Sequence, residues 1–316
     1  MAKKMTIKNK YIHFGVQLAV VVLMIWAADF IIGSTLRHFY FKQNTGWNYN
    51  TLYAVEKAKA DVMIFGSSKG ARQYHPDVFE QQLGMSYYNV SREGYFMLYH
   101  EALLKAILKR HKPKLIILDI RAYEFLENKQ TYERLAVLLP FYQSHPEMRS
   151  IIAMKSKFEK VKLLSSIYPY NSMVFKIAAG VAGFNKERDE TIKGYLPNDA
   201  VWRKPIKPAK ERISNELDSN FIQSYKNFLQ LCNEHNISLT VVSTPYLNML
   251  DRENVSVQIA AGIAREYNVL FIDYTHEPAL INHRELFADP IHLNNTGAKI
   301  MSAMIVDSIK KYNNRL

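Results

Sequence analysis

The chain has 316 residues, 48% of them hydrophobic, with 41 Lys and Arg against 29 Asp and Glu for a formal charge of +12. That apolar content excludes a disordered chain and suffices for one main domain with additions. The single cysteine, Cys232, excludes an internal disulfide, the spread of basic residues argues against a nucleic-acid partner, and ten histidines without HxH or HExxH spacing give no support to a metal site or other cofactor.

The N-terminus sets the compartment. "MAKKMTIKNK" carries Lys3, Lys4, Lys8 and Lys10, and the run Phe14 to Gly33 that follows holds one charge, Asp29. A helix of about 20 residues spans roughly 30 Å of hydrocarbon. The run exceeds a cleavable signal core of about 7–15 residues and no AxA site closes it, so an uncleaved signal anchor is expected. With the lysines held in the cytoplasm, residues 1–11 form an inner tail, 12–34 the membrane span and 35–60 a linker to an external domain of a single-pass cell-membrane protein. Asp29 falls near the outer end, within reach of the interface.

Beyond the anchor, short apolar runs at Val62 to Phe65, Tyr87 to Val90, Leu115 to Ile120, Leu239 to Val242 and Val269 to Ile272 read as buried parallel strands. Helical patterns separate them: Leu98, Ala102, Leu103 and Ile107 share one face, as do Phe221, Tyr225, Phe228 and Cys232. The expected fold is α/β, a doubly wound three-layer sandwich on five parallel strands, with ligands at the carboxyl edge of the sheet. It is assembled from residues 61–125 and 215–316. Residues 126–214 are too long for a connection and form a helical insertion, placed where a lid could cover the site. Within it, Met173 to Phe184 is apolar but too short to span a bilayer; it reads as a core helix, with an interfacial membrane contact as the alternative.

The first strand runs into "GSSKG". This matches GxSxG, yet the nucleophile elbow of α/β-hydrolases follows several earlier strands, for which there is no room here. No GK[ST] follows for a phosphate loop. A small-residue turn is the plain alternative. Near the other terminus, "ADPIHLNNTG" spaces Asp289 and His292 by two residues ahead of a final helix expected to bury Ile300, Met301, Met304 and Ile305. Pro290 favours a turn that brings the carboxylate to the imidazole, whose other nitrogen could then take a proton from a serine. Asp289 and Asn295 could instead cap a turn and a helix.

Taken together, these blocks resemble the SGNH, or GDSL-type, hydrolases and acyltransferases, a flavodoxin-like fold. The resemblance implies Ser68 as nucleophile, third in a Gly66-Ser67-Ser68 block, with Asp289 and His292 as the DxxH pair. It matches "NVSREG" to the second block, Asn89 and the oxyanion-hole Gly94, and covers roughly 61–125 and 215–316. Ser67 replaces the usual Asp, as in the membrane-anchored D-alanyl transfer proteins of teichoic acid assembly, whose architecture the chain is similar to. The GxND block is absent. "DIRAYEF" stands in its place, so the oxyanion hole would rest on the Ser68 and Gly94 amides with Arg121 as a candidate substitute donor. Asn89, Arg72 and Arg92 are substrate-contact candidates; His75, with Arg72 and Arg92, otherwise reads as capping or solvated. The implied activity is acyl transfer or ester hydrolysis on a cell-surface or exported polysaccharide, with a membrane acyltransferase as possible partner. Its rivals are a lipid-directed esterase and a non-catalytic accessory module.

Overall fold

A computed structural model describes residues 7–184, 191–206, 216–247 and 254–313. Lys3 and Lys4, used above to orient the chain, lie outside these residues, as does the side chain of Lys8. Strands β1 (Val62–Phe65), β2 (Tyr87–Asn89), β3 (Leu115–Asp119), β4 (Ser238–Ser243) and β5 (Leu270–Asp273) form one parallel sheet in the order β2-β1-β3-β4-β5. This is the flavodoxin-like doubly wound order. The fold is α/β as expected, and each strand lies within a residue or two of the sequence reading.

Alternation along the strands sorts the core into two layers. Met63, Phe65, Ile116, Leu118 and Val241 face one side, whereas Val62, Ile64, Leu115, Ile117 and Val242 face the other. The helices divide accordingly. On the first side pack α2 (Gly46–Glu56), α5 (Met97–Leu108), α10 (Ser219–Glu234) and α11 (Val255–Glu266). On the second lie α3 (Ser68–Gln73), α4 (Pro76–Leu83) and α13 (Asn295–Asn313), with the short α12 (Pro278–Ile281) and a hairpin of β6 (Phe287–Asp289) and β7 (His292–Leu293). In α13 the buried stripe is Ala298, Met301, Ile305, Val306 and Ile309; Ile300 is exposed and Met304 only half-buried, because the stripe is rotated from the expected one.

The expected linker is part of the domain. Helix α1 (Ile7–Phe41) runs on past the apolar segment, and its Tyr40 is buried against Phe141 and Tyr170. Leu52 and Val55 of α2 enter the core, and Arg110 donates to the carbonyls of Ala54 (2.7 Å), Val55 (2.9 Å) and Ala58, closing the C-terminal end of α2 with a cation. Among the described residues α1 is the one helix long and apolar enough to cross a membrane, and its side chains stay exposed almost throughout from Tyr11 to Ile32.

The insertion has two arms. The first holds α6 (Lys129–Arg134), α7 (Arg149–Ala153), α8 (Glu159–Lys162) and α9 (Val174–Val181), and buries Leu138, Phe141, Met148 and Ile152 in the layer that contains α5. The second, residues 191–206, runs along the opposite layer: Lys193 O accepts the Asn89 N–H, and the Leu196 N–H donates to Ala71 O. Met173 to Phe184 reaches the core on one face only, through Met173 and Ile177, while Val181 and Phe184 are exposed. Ile177 is the buried residue of α9, and Phe175 is 91% exposed.

An ionic clamp ties the first arm to α2. His145 lies 3.0 Å from Glu56 and 2.6 Å from Glu147. The Glu56 bond outweighs burial and, with Glu147, raises the imidazole above its usual range, while the same bond holds the Glu56 carboxyl down. The folded state therefore binds this proton more tightly than the unfolded chain. The clamp contributes in full below the ordinary imidazole range and is lost as pH rises through the raised value. His145→Gln should cost about 1–2 kcal/mol at pH 6, a fall of several degrees in Tm, and much less at pH 9. Thermal melts of the two proteins at both pH values check this; an equal loss at both would remove the ionic explanation.

Candidate active site

Ser68 opens α3 immediately beyond the β1 carboxyl end, so strand and helix fix its position from both sides. His292 and Asp289 come from the β6–β7 hairpin, where they are cross-strand partners joined through Pro290 and Ile291. A turn that short puts both side chains at the same end of the hairpin, which is the physical content of the DxxH spacing. The hairpin is braced twice: Gln73 Nε2 donates to Ile291 O (3.1 Å) and the Leu247 N–H to Pro290 O (2.9 Å).

The three groups form a continuous chain. Ser68 Oγ lies 2.8 Å from His292 Nε2, and His292 Nδ1 lies 2.8 Å from Asp289 Oδ2. Asp289 Oδ1 accepts the N–H groups of Ile291 (2.9 Å) and His292 (3.0 Å). Burial alone would raise the Asp289 carboxyl, but the His292 ring and these two amides hold it below the usual carboxylate range. Asp289 is thus an acceptor, and His292 keeps its proton on Nδ1 and presents Nε2 to the serine.

The other sequence candidates separate. The Gly94 N–H donates to Ser67 Oγ at 3.2 Å, so the expected oxyanion donor stands beside the serine turn but is occupied by the neighbouring hydroxyl. Arg121 Nε donates to the buried Glu124 (3.0 Å) and its guanidinium lies 3.4 Å from the Phe96 ring centroid; no bond links it to Ser68, His292 or Asp289. The Asn89 side chain is spent inside the fold, donating to Gly70 O (2.8 Å) and accepting from the Ser91 N–H (2.9 Å). Arg92 is buried, bonds Thr51 and lies over Tyr95, which joins its loop to α2. His75 precedes α4 and packs on Tyr195. Arg72 follows Ser68 by one helical turn and pairs with Glu93 at 2.6 Å, half-buried. All three substrate-contact candidates, Arg72, Asn89 and Arg92, border one cavity of about 230 Å³, lined also by Glu93, Tyr99 and Thr191 among others, though by none of Ser68, His292 and Asp289.

A buried polar layer beneath the serine was missed by sequence reasoning. Lys69 is 3% exposed; its Nζ donates to the carbonyls of Thr244 and Pro245, both at 2.8 Å, and sits 3.0 Å from the Tyr246 ring centroid. Burial pushes Lys69 well below the lysine range, against the pull of Asp119 and Asp289. Asp119, at the β3 end, is buried and accepts from the Tyr74 hydroxyl at 2.7 Å. Burial raises this carboxyl, opposed by Lys69, by the Tyr74 and Thr244 hydroxyls and by His292. Charged residues carry no hydrophobic period, so only their place at strand and helix ends could have marked them. Among the described residues no three His, Cys, Asp or Glu side chains gather as a metal site.

No protein-family model and no curated protein matches the chain. Among solved structures it is similar to a candidate acylhydrolase from Bacteroides fragilis, at 12% identity and TM-score 0.41, over 85% of this chain and 99% of that one. It is also similar to a catalytic mutant of an acetylxylan esterase from Geobacillus stearothermophilus, at 11% identity and TM-score 0.38, over 79% and 93%. At these values the likeness says nothing about chemistry, which rests on the geometry above.

Proposed function

We propose that the chain is a serine esterase or O-acyltransferase of the SGNH type, held on the outer side of a membrane by α1 and acting on acyl esters of a cell-surface or exported polysaccharide. The observation that carries the chemistry is the unbroken Ser68–His292–Asp289 chain, 2.8 Å at each link. Ser68 Oγ attacks the ester carbonyl while its proton passes to His292 Nε2, and the imidazolium is stabilised by Asp289. Collapse of the tetrahedral intermediate breaks the C–O bond, and His292 returns the proton to the leaving alcohol. Water or a sugar hydroxyl then gives His292 its proton, attacks the acyl-serine and restores the enzyme. The Ser68 amide, together with the Gly94 amide once it leaves Ser67 Oγ, is proposed to receive the oxyanion. Arg121 has no part in this scheme. The polysaccharide assignment is supported by the anchor, the +12 charge, which favours anionic polymers, and the family resemblance.

The test is labelling with a fluorophosphonate probe followed by turnover of an ester panel. Stoichiometric modification at Ser68 and cleavage of acetylated oligosaccharides are expected. Preference for lysolipids would move the substrate to lipid, and no labelling would leave an accessory module.

A further inference from the structure

The first arm of the insertion is fastened to α1 inside its apolar run. Ser165 Oγ donates to Asp29 Oδ1 (2.5 Å) and the Ser166 N–H to Asp29 Oδ2 (2.6 Å). One turn on, a Cβ at Gly33 would lie 2.4 Å from the Ser166 carbonyl carbon, so the two backbones meet where any larger residue would part them. Asp29 is 19 residues beyond Lys10. At a rise of 1.5 Å per residue that is about 28 Å along the axis, the far edge of a hydrocarbon layer of about 30 Å. The docked segment therefore sits at the depth where acyl chains meet headgroups.

The residues just before this contact have the composition that such a depth requires. The Val161 N–H bonds Phe158 O and the Leu164 N–H bonds Val161 O, both at 3.1 Å, a tight helical path that places Phe158, Val161 and Leu164 on one side. All three are exposed, Leu164 to 81%. Lys157 and Lys160 are exposed beside them, whereas Lys162 is held by Ser156 and Glu159. An apolar stripe flanked by cations, continuous with a spanning helix, matches a surface of acyl chains under anionic headgroups. We propose that this stripe beds into the outer leaflet and that its lysines engage anionic lipid headgroups. The first arm would then be a membrane-seated foot that fixes the height and orientation of the domain over the bilayer. This inference rests on the reading of α1 as a membrane span.

The test uses the full chain in phosphatidylcholine vesicles with and without phosphatidylglycerol. Single cysteines carrying an environment-sensitive fluorophore are placed by Leu164→Cys, Val22→Cys and Glu234→Cys; the native Cys232 is buried. With nitroxide-labelled lipids, most of the emission at positions 22 and 164 should be lost, and that at 234 retained. Phosphatidylglycerol should deepen the loss at 164, and Lys157→Glu with Lys160→Glu should reverse that gain. Quenching at 22 without quenching at 164 overturns the foot and leaves the anchor standing, whereas no quenching at either overturns both. No response at 164 to phosphatidylglycerol or to the lysine changes overturns the headgroup contact. A label at 164 that is shielded only in native membranes, never in pure lipid, overturns the proposal in favour of a membrane-protein partner.

Discussion

Ser68→Ala is expected to abolish fluorophosphonate labelling and to lower ester turnover on the order of 10⁴- to 10⁶-fold, because among the described residues no other hydroxyl is placed against His292 Nε2. Ser67→Ala is the discriminating control. Its hydroxyl accepts from the Gly94 N–H, so its loss loosens one loop contact but leaves the nucleophile, and turnover should stay within about tenfold of the parent. His292→Ala should be nearly as damaging as Ser68→Ala, and the double variant no worse, since members of one catalytic unit do not contribute additively. Asp289→Asn has a sharper logic here. Asn can keep its oxygen on the Ile291 and His292 amides, which turns its NH₂ toward Nδ1. That would force the imidazole proton onto Nε2, leaving a folded hairpin with no base for Ser68; a loss of about 10³- to 10⁴-fold is expected, with Tm little changed. Steady-state kinetics, intact-mass detection of the probe adduct and melting curves measure all five variants. Equal losses from Ser67→Ala and Ser68→Ala would reduce the serine pair to a structural turn, and an active Ser68→Ala would end the assignment.

What could be read from the chain beforehand follows burial on regular elements. The five strands are covered on both faces, so they appear as continuous apolar runs that no helix period imitates over so short a length. Gly66 at a strand end and the Asp289–His292 turn were legible from residue type and position, whereas the choice of Ser68 came with the family resemblance. Three features were not. Helix α2 interleaves polar and apolar residues without a clear stripe, and "NYNTLYAVEKAKA" gives little sign that Leu52 and Val55 complete the core. The exposed face of α9 was not legible because sequence records apolarity, not which side of a helix the protein covers. Lys69 and Asp119 were invisible because a buried charge is set by the packing around it, here two carbonyls, a tyrosine ring and a tyrosine hydroxyl.

Gly66→Ala should separate folding from function at the same turn. Gly66 follows Phe65, whose partner across the sheet is Leu118, and so stands opposite Asp119. A Cβ there would lie 2.8 Å from Asp119 Cβ and 3.0 Å from Gly70 Cα, closer than packed atoms tolerate, and neither is the far end of a flexible chain. Asp119 cannot simply yield, since Tyr74 holds its carboxylate from the end of α3. The strain must therefore be taken up by the β1 end and α3, the two elements that position Ser68. Overpacking of this kind costs about 1–3 kcal/mol, which a domain of this size can survive. A displacement of Ser68 by about 1 Å is enough to lose on the order of 10²-fold in turnover. The expected result is a folded protein with Tm lowered by several degrees and activity reduced about a hundredfold or more, chiefly in kcat. Gly262→Ala is the matched control: it lies within α11 with nothing near its Cβ position, and alanine should raise helix stability by about 0.5–1 kcal/mol with activity unchanged. If Gly66→Ala kept the parent's kcat, contact between the β1 and β3 ends would not be what places the serine, and the positioning would have to come from the hairpin side alone.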